Sequence, residues 1–216
     1  RTAHRLRSPT PGNQPWRSRP ALRSRRGGVT APVDVLIDNL DGILSGFATT
    51  LKLFAISAVL CMILGTVLAA MRVSPFRVLR STGTGYVTVV RNTPLVLVFV
   101  LVVFGLPELG FRPDFDTRAI LALTLYTAAF VCEAVRSGIN AVQPGQAEAA
   151  RSLGMTFRQT LGLVVLPQAF RSVVPPLVSI LIALTKNTAL AEVFGVTDAA
   201  YELHNLIRDH PQALYA

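Results

Sequence analysis

The sequence predicts an all-α fold, a multi-span transmembrane helical bundle. Three observations carry that expectation. Hydrophobic residues make up 51% of the 216-residue chain and charged residues 15%, with a mean hydropathy of +0.48. A soluble domain carries about 25% charged residues. The apolar residues gather into runs close to the length of a membrane crossing, and the basic residues gather in alternate connections between those runs.

The first segment, residues 1–32, is rich in Arg, Pro, Ser and Gly and is expected to be disordered. Eight arginines and no acid lie in residues 1–30, leaving 13 basic and 12 acidic side chains for the rest. The strong positive charge therefore belongs to the tail. The body has no basic surplus with which to bind nucleic acid, and no nucleic-acid partner is expected.

The first span is expected over about 42–71. Leu53 to Met71 are 19 residues without a charge, enough for a hydrocarbon core of about 30 Å. Ser57, Cys61, Gly65 and Ala69 recur every fourth residue, a stripe of small side chains that lets another helix approach closely. The second span is expected over 86–106 as one helix, interrupted in sequence by Arg91, Asn92 and Pro94. A loop with Glu108, Asp114 and Asp116 follows. The third span, 119–140, carries Glu133 and Arg136 three residues apart, spaced to pair with each other. Arg91, near an interface, is expected to snorkel. The fourth span, 173–196, contains Pro175, Pro176, Lys186 and Glu192, and a polar tail follows it. Four spans are counted and no fifth.

Between spans three and four lies the helix-friendly segment 143–172. Pro144 suits the first turn of a short helix, Glu148 favours that helix's dipole, and Gly154 stops it. Thr156 and Gln159 have the spacing of a capping box for a second helix, expected to end at Leu166 before Pro167. Four arginines lie in 72–91 and four in 136–171. Two follow span two and one follows span four. Both richer stretches are thereby placed in the cytoplasm. The arginine-rich start argues the other way.

Catalytic classes lose their usual evidence. No HExxH, CxxC, GxSxG or GxxxxGK[ST] pattern occurs, and Cys61 and Cys132 sit inside apolar runs. No catalytic residue, metal or cofactor is expected.

The segment between spans three and four resembles the EAA loop of permease subunits of ABC importers of the polar amino acid type. It holds Glu148–Ala149–Ala150, then Gly154, then Leu166–Pro167–Gln168–Ala169. Four further stretches match in order: TTLKL at 49–53, RNTPL at 91–95, EAVRSGINAVQPGQ at 133–146 and KNTAL at 186–190. The resemblance covers about residues 40–216, taken as one permease transmembrane domain. It implies a type I ABC importer permease of the histidine, glutamate, glutamine and arginine class in the bacterial plasma membrane. It also implies a second permease chain, same or homologous, an extracytoplasmic amino-acid-binding protein and cytoplasmic ATPase subunits. Glu148, Ala149, Ala150 and Gly154 are then the ATPase-coupling residues, over an EAA coupling loop at 143–172. Family members of this type usually have five spans, so the fifth is expected to be missing from this sequence.

Charged groups at membrane depth are costly and functional by default. Lys186, Asn187 and Glu192 are accordingly candidates for a substrate path, although Lys186 reads equally as a structural contact to nearby carbonyls. Two other functions remain open to the sequence alone. One is a secondary transporter or channel working without an ATPase, although no inverted repeat is evident. The other is a membrane-anchored binder of lipid or nucleic acid acting through the basic tail.

Overall fold

The computed structural model describes residues 32–211. The disorder expected of residues 1–32 falls almost wholly outside that range. A short helix α1 (Pro32–Asp38) leads into α2 (Leu40–Val73), 34 residues long. Then come α3 (Arg77–Arg91), α4 (Leu95–Glu108) and α5 (Phe115–Asn140). After α6 (Pro144–Ser152) and α7 (Phe157–Gln159), a π-helical stretch over Thr160–Val165 runs into α8 (Leu166–Thr188). A 3-10 segment, Ala189–Phe194, and α9 (Ala199–Asp209) are the last elements among the described residues. No strand occurs among the described residues.

The bundle is organised by α2 against α5. Ser57, Cys61, Gly65 and Ala69 are all buried, so the four-residue stripe is a packing face. At Gly65 a Cβ would stand 2.6 Å from Val131 and 2.9 Å from the Ala128 carbonyl oxygen. Only hydrogen fits there. The two helices run parallel: Lys52 Nζ meets Asp116 Oδ2 at 2.9 Å near one end, and Arg72 meets Glu133 near the other. Their C-terminal ends therefore emerge on the same side, in agreement with the distribution of arginines.

Helix α8 lies antiparallel to α5. Gly138 faces Val173 near one end, and Phe115 packs beside Gly195 at the other. Gly195 has φ +90°, a left-handed conformation that glycine adopts cheaply, and it ends the 3-10 segment. Helix α9 then turns back onto the start of α2. The Ala199 N–H donates to Thr50 Oγ1 at 3.1 Å, and Gly46 leaves space for Glu202 and the backbone of Asp198. Buried Asp198 caps α9 by accepting from the Ala200 and Tyr201 N–H groups, both at 3.1 Å.

Asp114 caps α5, accepting from Thr117 N–H at 3.2 Å and from the Thr117 hydroxyl at 2.6 Å. These two hydrogen bonds, the hydroxyl first, hold its carboxyl below the ordinary Asp value. Arg118 closes the same corner. It donates to the carbonyls of Pro113 and Val103 and lies 4.2 Å over the Phe115 ring.

Two expectations are corrected. The second span is not one helix over 86–106. It is a broken pair, α3 and α4, bent by 106° at Asn92–Pro94. Pro94 disfavours helical backbone in the residue before it and has no N–H of its own. The two residues ahead of it cover the loose end: Asn92 Nδ2 donates to Thr88 O and Thr93 Oγ1 to Val89 O, both at 2.8 Å. The helix begun at Thr156 also does not stop at Leu166. The helical run continues from Phe157 to Phe194, 38 residues, with the fourth span as its later part. The wider π turn bonds Leu166 N–H back to Leu161 O, and Pro167 falls in the first turn of α8, where a missing N–H is tolerated. Three helices, or four with the bent pair counted as one, are long and apolar enough to cross a membrane among the described residues.

The α5–α8 contact gives a direct test. A Cβ at Gly138 would lie 2.0 Å from Val173 Cγ2 and 3.1 Å from its Cα. Gly138→Ala is expected to destabilise the detergent-solubilised protein by roughly 1–3 kcal/mol through overpacking. Val173→Ala in the same chain should recover part of that loss. Thermal unfolding followed by circular dichroism measures both, and an unchanged midpoint for Gly138→Ala alone would contradict the contact.

Candidate functional site

Three features of the bundle stand out. The first is an ionic cluster around Glu133 of α5. Arg72 of α2 reaches this carboxylate most closely, Arg91 of α3 stands at 3.5 Å, and Arg136 stands at 3.6 Å on its own helix. Glu133 and Arg136 do pair, as their spacing suggested. The nearest partner is nevertheless Arg72, which the sequence did not single out. Arg91 does not simply snorkel: it meets Glu133 and lies 5.8 Å over the Phe130 ring. One carboxylate thus holds guanidinium groups from three helices. Arg72 and Glu133 keep only 12% and 24% of their side-chain surface exposed, so neither is well solvated without the other.

The second feature is a pair of cavities meeting at Phe130. One, of about 320 Å³, lies beside the helix break and is lined by Val87, Thr88, Arg91, Asn92, Phe130 and Glu133. The other, of about 270 Å³, lies between α5 and α8. Its wall includes Tyr126, Thr127, Phe130, Ser179, Ala183 and Asn187. Tyr126 and Phe130 are one helical turn apart with ring centroids 5.0 Å from each other. The Thr127 hydroxyl is buried and has no hydrogen-bond partner among the described residues. Of the three path candidates, only Asn187 lines this cavity. Lys186 is exposed on the neighbouring position of α8. Glu192 faces elsewhere, paired with His204 of α9.

The third feature is the segment joining α5 to α8. Pro144 occupies the first turn of α6, as expected. Contrary to expectation, Glu148 is the fifth residue of α6 and lies in its second turn, too far from the end to favour the dipole. Gly154 ends α6 with φ +80°. Its N–H donates to Arg151 O at 2.9 Å and that of Met155 to Ala150 O at 3.2 Å, the two bonds of a Schellman motif. Thr156 and Gln159 form the capping box, with Thr156 N–H donating to Gln159 Oε1 at 2.9 Å. Ala150 is 4% exposed and turns inward. Glu148, Ala149 and Gly154 are exposed, and Leu153 is 84% exposed. The segment is thus a rigid double helix-turn anchored by one small residue, with an apolar side chain left open.

The signals missed in the sequence were of two kinds. Tyr126 and Phe130 are an i, i+4 aromatic pair one turn from Glu133, and that spacing was readable. Arg72 finds Glu133 only across 61 residues of chain, through the parallel docking of α2 on α5.

Parallel and antiparallel apolar helices around a broken span, with a structured connection between two of them, define a polytopic membrane protein. Residues 61–204 match the family described as binding-protein-dependent transport system inner membrane component. The chain belongs to this family, and is an inner-membrane component of such a system. It is 47% identical over 185 residues to the glutamate transport system permease protein GluC of Corynebacterium efficiens, covering 80% of this chain and 81% of that one. It is 41% identical over 170 residues to the probable glutamine ABC transporter permease protein GlnM of Bacillus subtilis, covering 79% of each chain. A solved structure titled as an amino acid ABC transporter with histidines superposes with a TM-score of 0.75 at 32% identity. That match covers 80% of this chain and 81% of that one.

The Glu133 cluster is testable by double-mutant cycles. Breaking a fully buried pair costs about 3–5 kcal/mol. Glu133 is a quarter exposed, so Glu133→Gln is expected to cost less, about 2 kcal/mol. Coupling with Arg72→Met should exceed coupling with Arg91→Met. Equal coupling to both arginines would contradict the geometry.

Proposed function

We propose that the chain is the membrane-spanning permease subunit of an ATP-driven importer of polar amino acids, of the glutamate, glutamine, arginine and histidine class. A second permease chain, the same or homologous, completes the translocation path. An extracytoplasmic binding protein delivers the amino acid, and separate cytoplasmic ATPase subunits hydrolyse ATP. The substrate class is supported by relatives that carry the names of glutamate and glutamine permeases and by the likeness to an amino acid transporter with histidines.

Coupling to the ATPase is assigned to α6 and the turn after it, through Glu148, Ala149, Ala150 and Gly154. One observation carries this: α6 ends in a glycine-fixed turn that leaves Glu148, Ala149 and Leu153 outward while Ala150 roots it. A short helix held in this way presents a charged and apolar face to a partner and transmits force without bending. The helical run from Phe157 continues directly into the fourth span, so movement of α6 has a stiff route to the membrane.

The substrate path is assigned to the Phe130 cavities. Asn187 and the unpartnered Thr127 hydroxyl offer polar contacts there, with Tyr126 and Phe130 as apolar walls. Lys186 adds positive charge on the adjacent face of α8. Glu192, paired with His204, lies outside these cavities and is not assigned to the path.

The coupling assignment is tested by binding-protein-stimulated ATPase activity in vesicles reconstituted with all subunits. No atom lies within 4 Å of a Cβ added at Gly154, so the cost there is conformational alone. Gly154→Val is expected to cost about 1 kcal/mol or more in the left-handed region and to skew α6. Glu148→Arg leaves the helix intact and reverses the charge presented. Both should cut stimulated hydrolysis and uptake severalfold while the protein stays in the membrane. Full stimulation and normal uptake by both would remove α6 as the coupling element.

The path assignment has its own test. Lys186→Met and Asn187→Leu should lower uptake of labelled amino acids while leaving association with the ATPase unchanged. Normal uptake by both would make them structural residues.

A further inference from the structure

The turn between α2 and α3 carries charge that nothing else in the structure uses. Residues 42–107 contain no Asp or Glu and five basic residues. Lys52 is paired with Asp116, and Arg72 and Arg91 share Glu133. Arg77 and Arg80 remain. Both are exposed, and neither has an ion-pair partner among the described residues. They stand three apart in the first turns of α3, hence on one face. Cations at a helix start oppose the helix dipole, so the stability of α3 does not account for them.

The apolar neighbours of these arginines are equally open. Val73, Phe76 and Val78 are 62%, 68% and 77% exposed, and Phe76 is the N-cap residue just before α3. Val73 is the last residue of a membrane-spanning helix, so the turn lies where hydrocarbon gives way to headgroups. Ser74 fixes the turn: its hydroxyl accepts the Phe76 N–H at 3.2 Å, and its own N–H donates to Met71 O. Because α2 and α5 are parallel, the turn shares a side with the 141–165 connection. An exposed Phe and Val flanking two unpaired guanidinium groups match a phospholipid in both parts: acyl chain for the former, phosphate for the latter.

We propose that the α2–α3 turn is a binding site for an anionic phospholipid, with Arg77 and Arg80 holding the headgroup phosphate and Phe76 and Val78 contacting the acyl chains. This site is separate from the cavities and from α6, and it does not rest on the transport reading.

The test uses the full chain in phosphatidylcholine vesicles, with Trp16→Phe and Phe76→Trp supplying one reporter. Brominated phosphatidylglycerol and brominated phosphatidylcholine are compared as quenchers. At about 1 kcal/mol per arginine, half-quenching is expected at a roughly 30-fold lower mole fraction of the anionic lipid. Arg77→Gln with Arg80→Gln should abolish that preference, and Arg77→Lys with Arg80→Lys should keep most of it. High salt should weaken it. Equal quenching by the two lipids would overturn the proposal, as would a preference that survives the glutamine pair. So would loss of quenching when ATPase subunits are added, together with loss of their association in the glutamine variant. That result would make an acidic protein surface the occupant. None of these readouts requires uptake, so failure of the transport reading would leave them interpretable.

Discussion

The close approach of α2 and α5 is the constraint on which the bundle depends. Inside a bilayer there is no gain from moving an apolar side chain out of lipid and onto another helix, so association rests on packing and on polar contacts. Gly65 supplies the first by letting Val131 and the Ala128 carbonyl sit where a side chain would otherwise be. Arg72 and Glu133 supply the second, at the C-terminal end of α2. With these two helices fixed side by side, α8 closes on the other flank of α5 through Gly138, and α3 is held across the end of α2 at Gly83. The cavities at Phe130 are what remains between elements positioned in this way.

Much of this was readable from local pattern. The capping box at Thr156 and the left-handed stop at Gly154 each depend on residues within one or two turns, and the stripe Ser57–Cys61–Gly65–Ala69 repeats within a single helix. Such signals survive folding unchanged. The break at Pro94 was visible as an interruption, but its 106° angle was not, because the direction of α4 is set by distant partners. Phe99 of α4 stacks on Phe194 at 5.0 Å, and Arg118 grips Val103 O. The run through Pro167 was missed for a related reason. Proline usually marks a helix boundary, but a π stretch just ahead leaves Pro167 in the first turn of α8, where a missing N–H is tolerated.

The candidate site divides in the same way. Glu148, Ala149, Ala150 and Gly154 are candidates through a resemblance carried by contiguous residues, and folding adds which of them point outward. Asn187 was found as a polar residue in an apolar run. Its cavity partners Tyr126 and Thr127 come from another helix. The Glu133 cluster was seen only as the Glu133–Arg136 pair, since its strongest member arrives from α2. Contacts that define a charge environment are long-range, and a single sequence carries no trace of them.

The parallel course of α2 and α5 also fixes a parity. Two parallel crossings joined by one connection require that connection to return through the membrane once, and only α3 and α4 can make the return. At 1.5 Å per residue, the 14 residues of α4 cover about 21 Å, short of a hydrocarbon core of about 30 Å. The elbow at Asn92–Pro94 must therefore lie beneath the membrane surface, where water does not solvate exposed backbone. Thr88 O keeps only a long bond from the Asn92 N–H, at 3.3 Å, and Val89 O loses its helical donor because the Thr93 N–H turns to Val90 O, so both draw on donors from within. Asn92 and Thr93 provide these with their own side chains, so the dipeptide before Pro94 carries its own substitute for solvent.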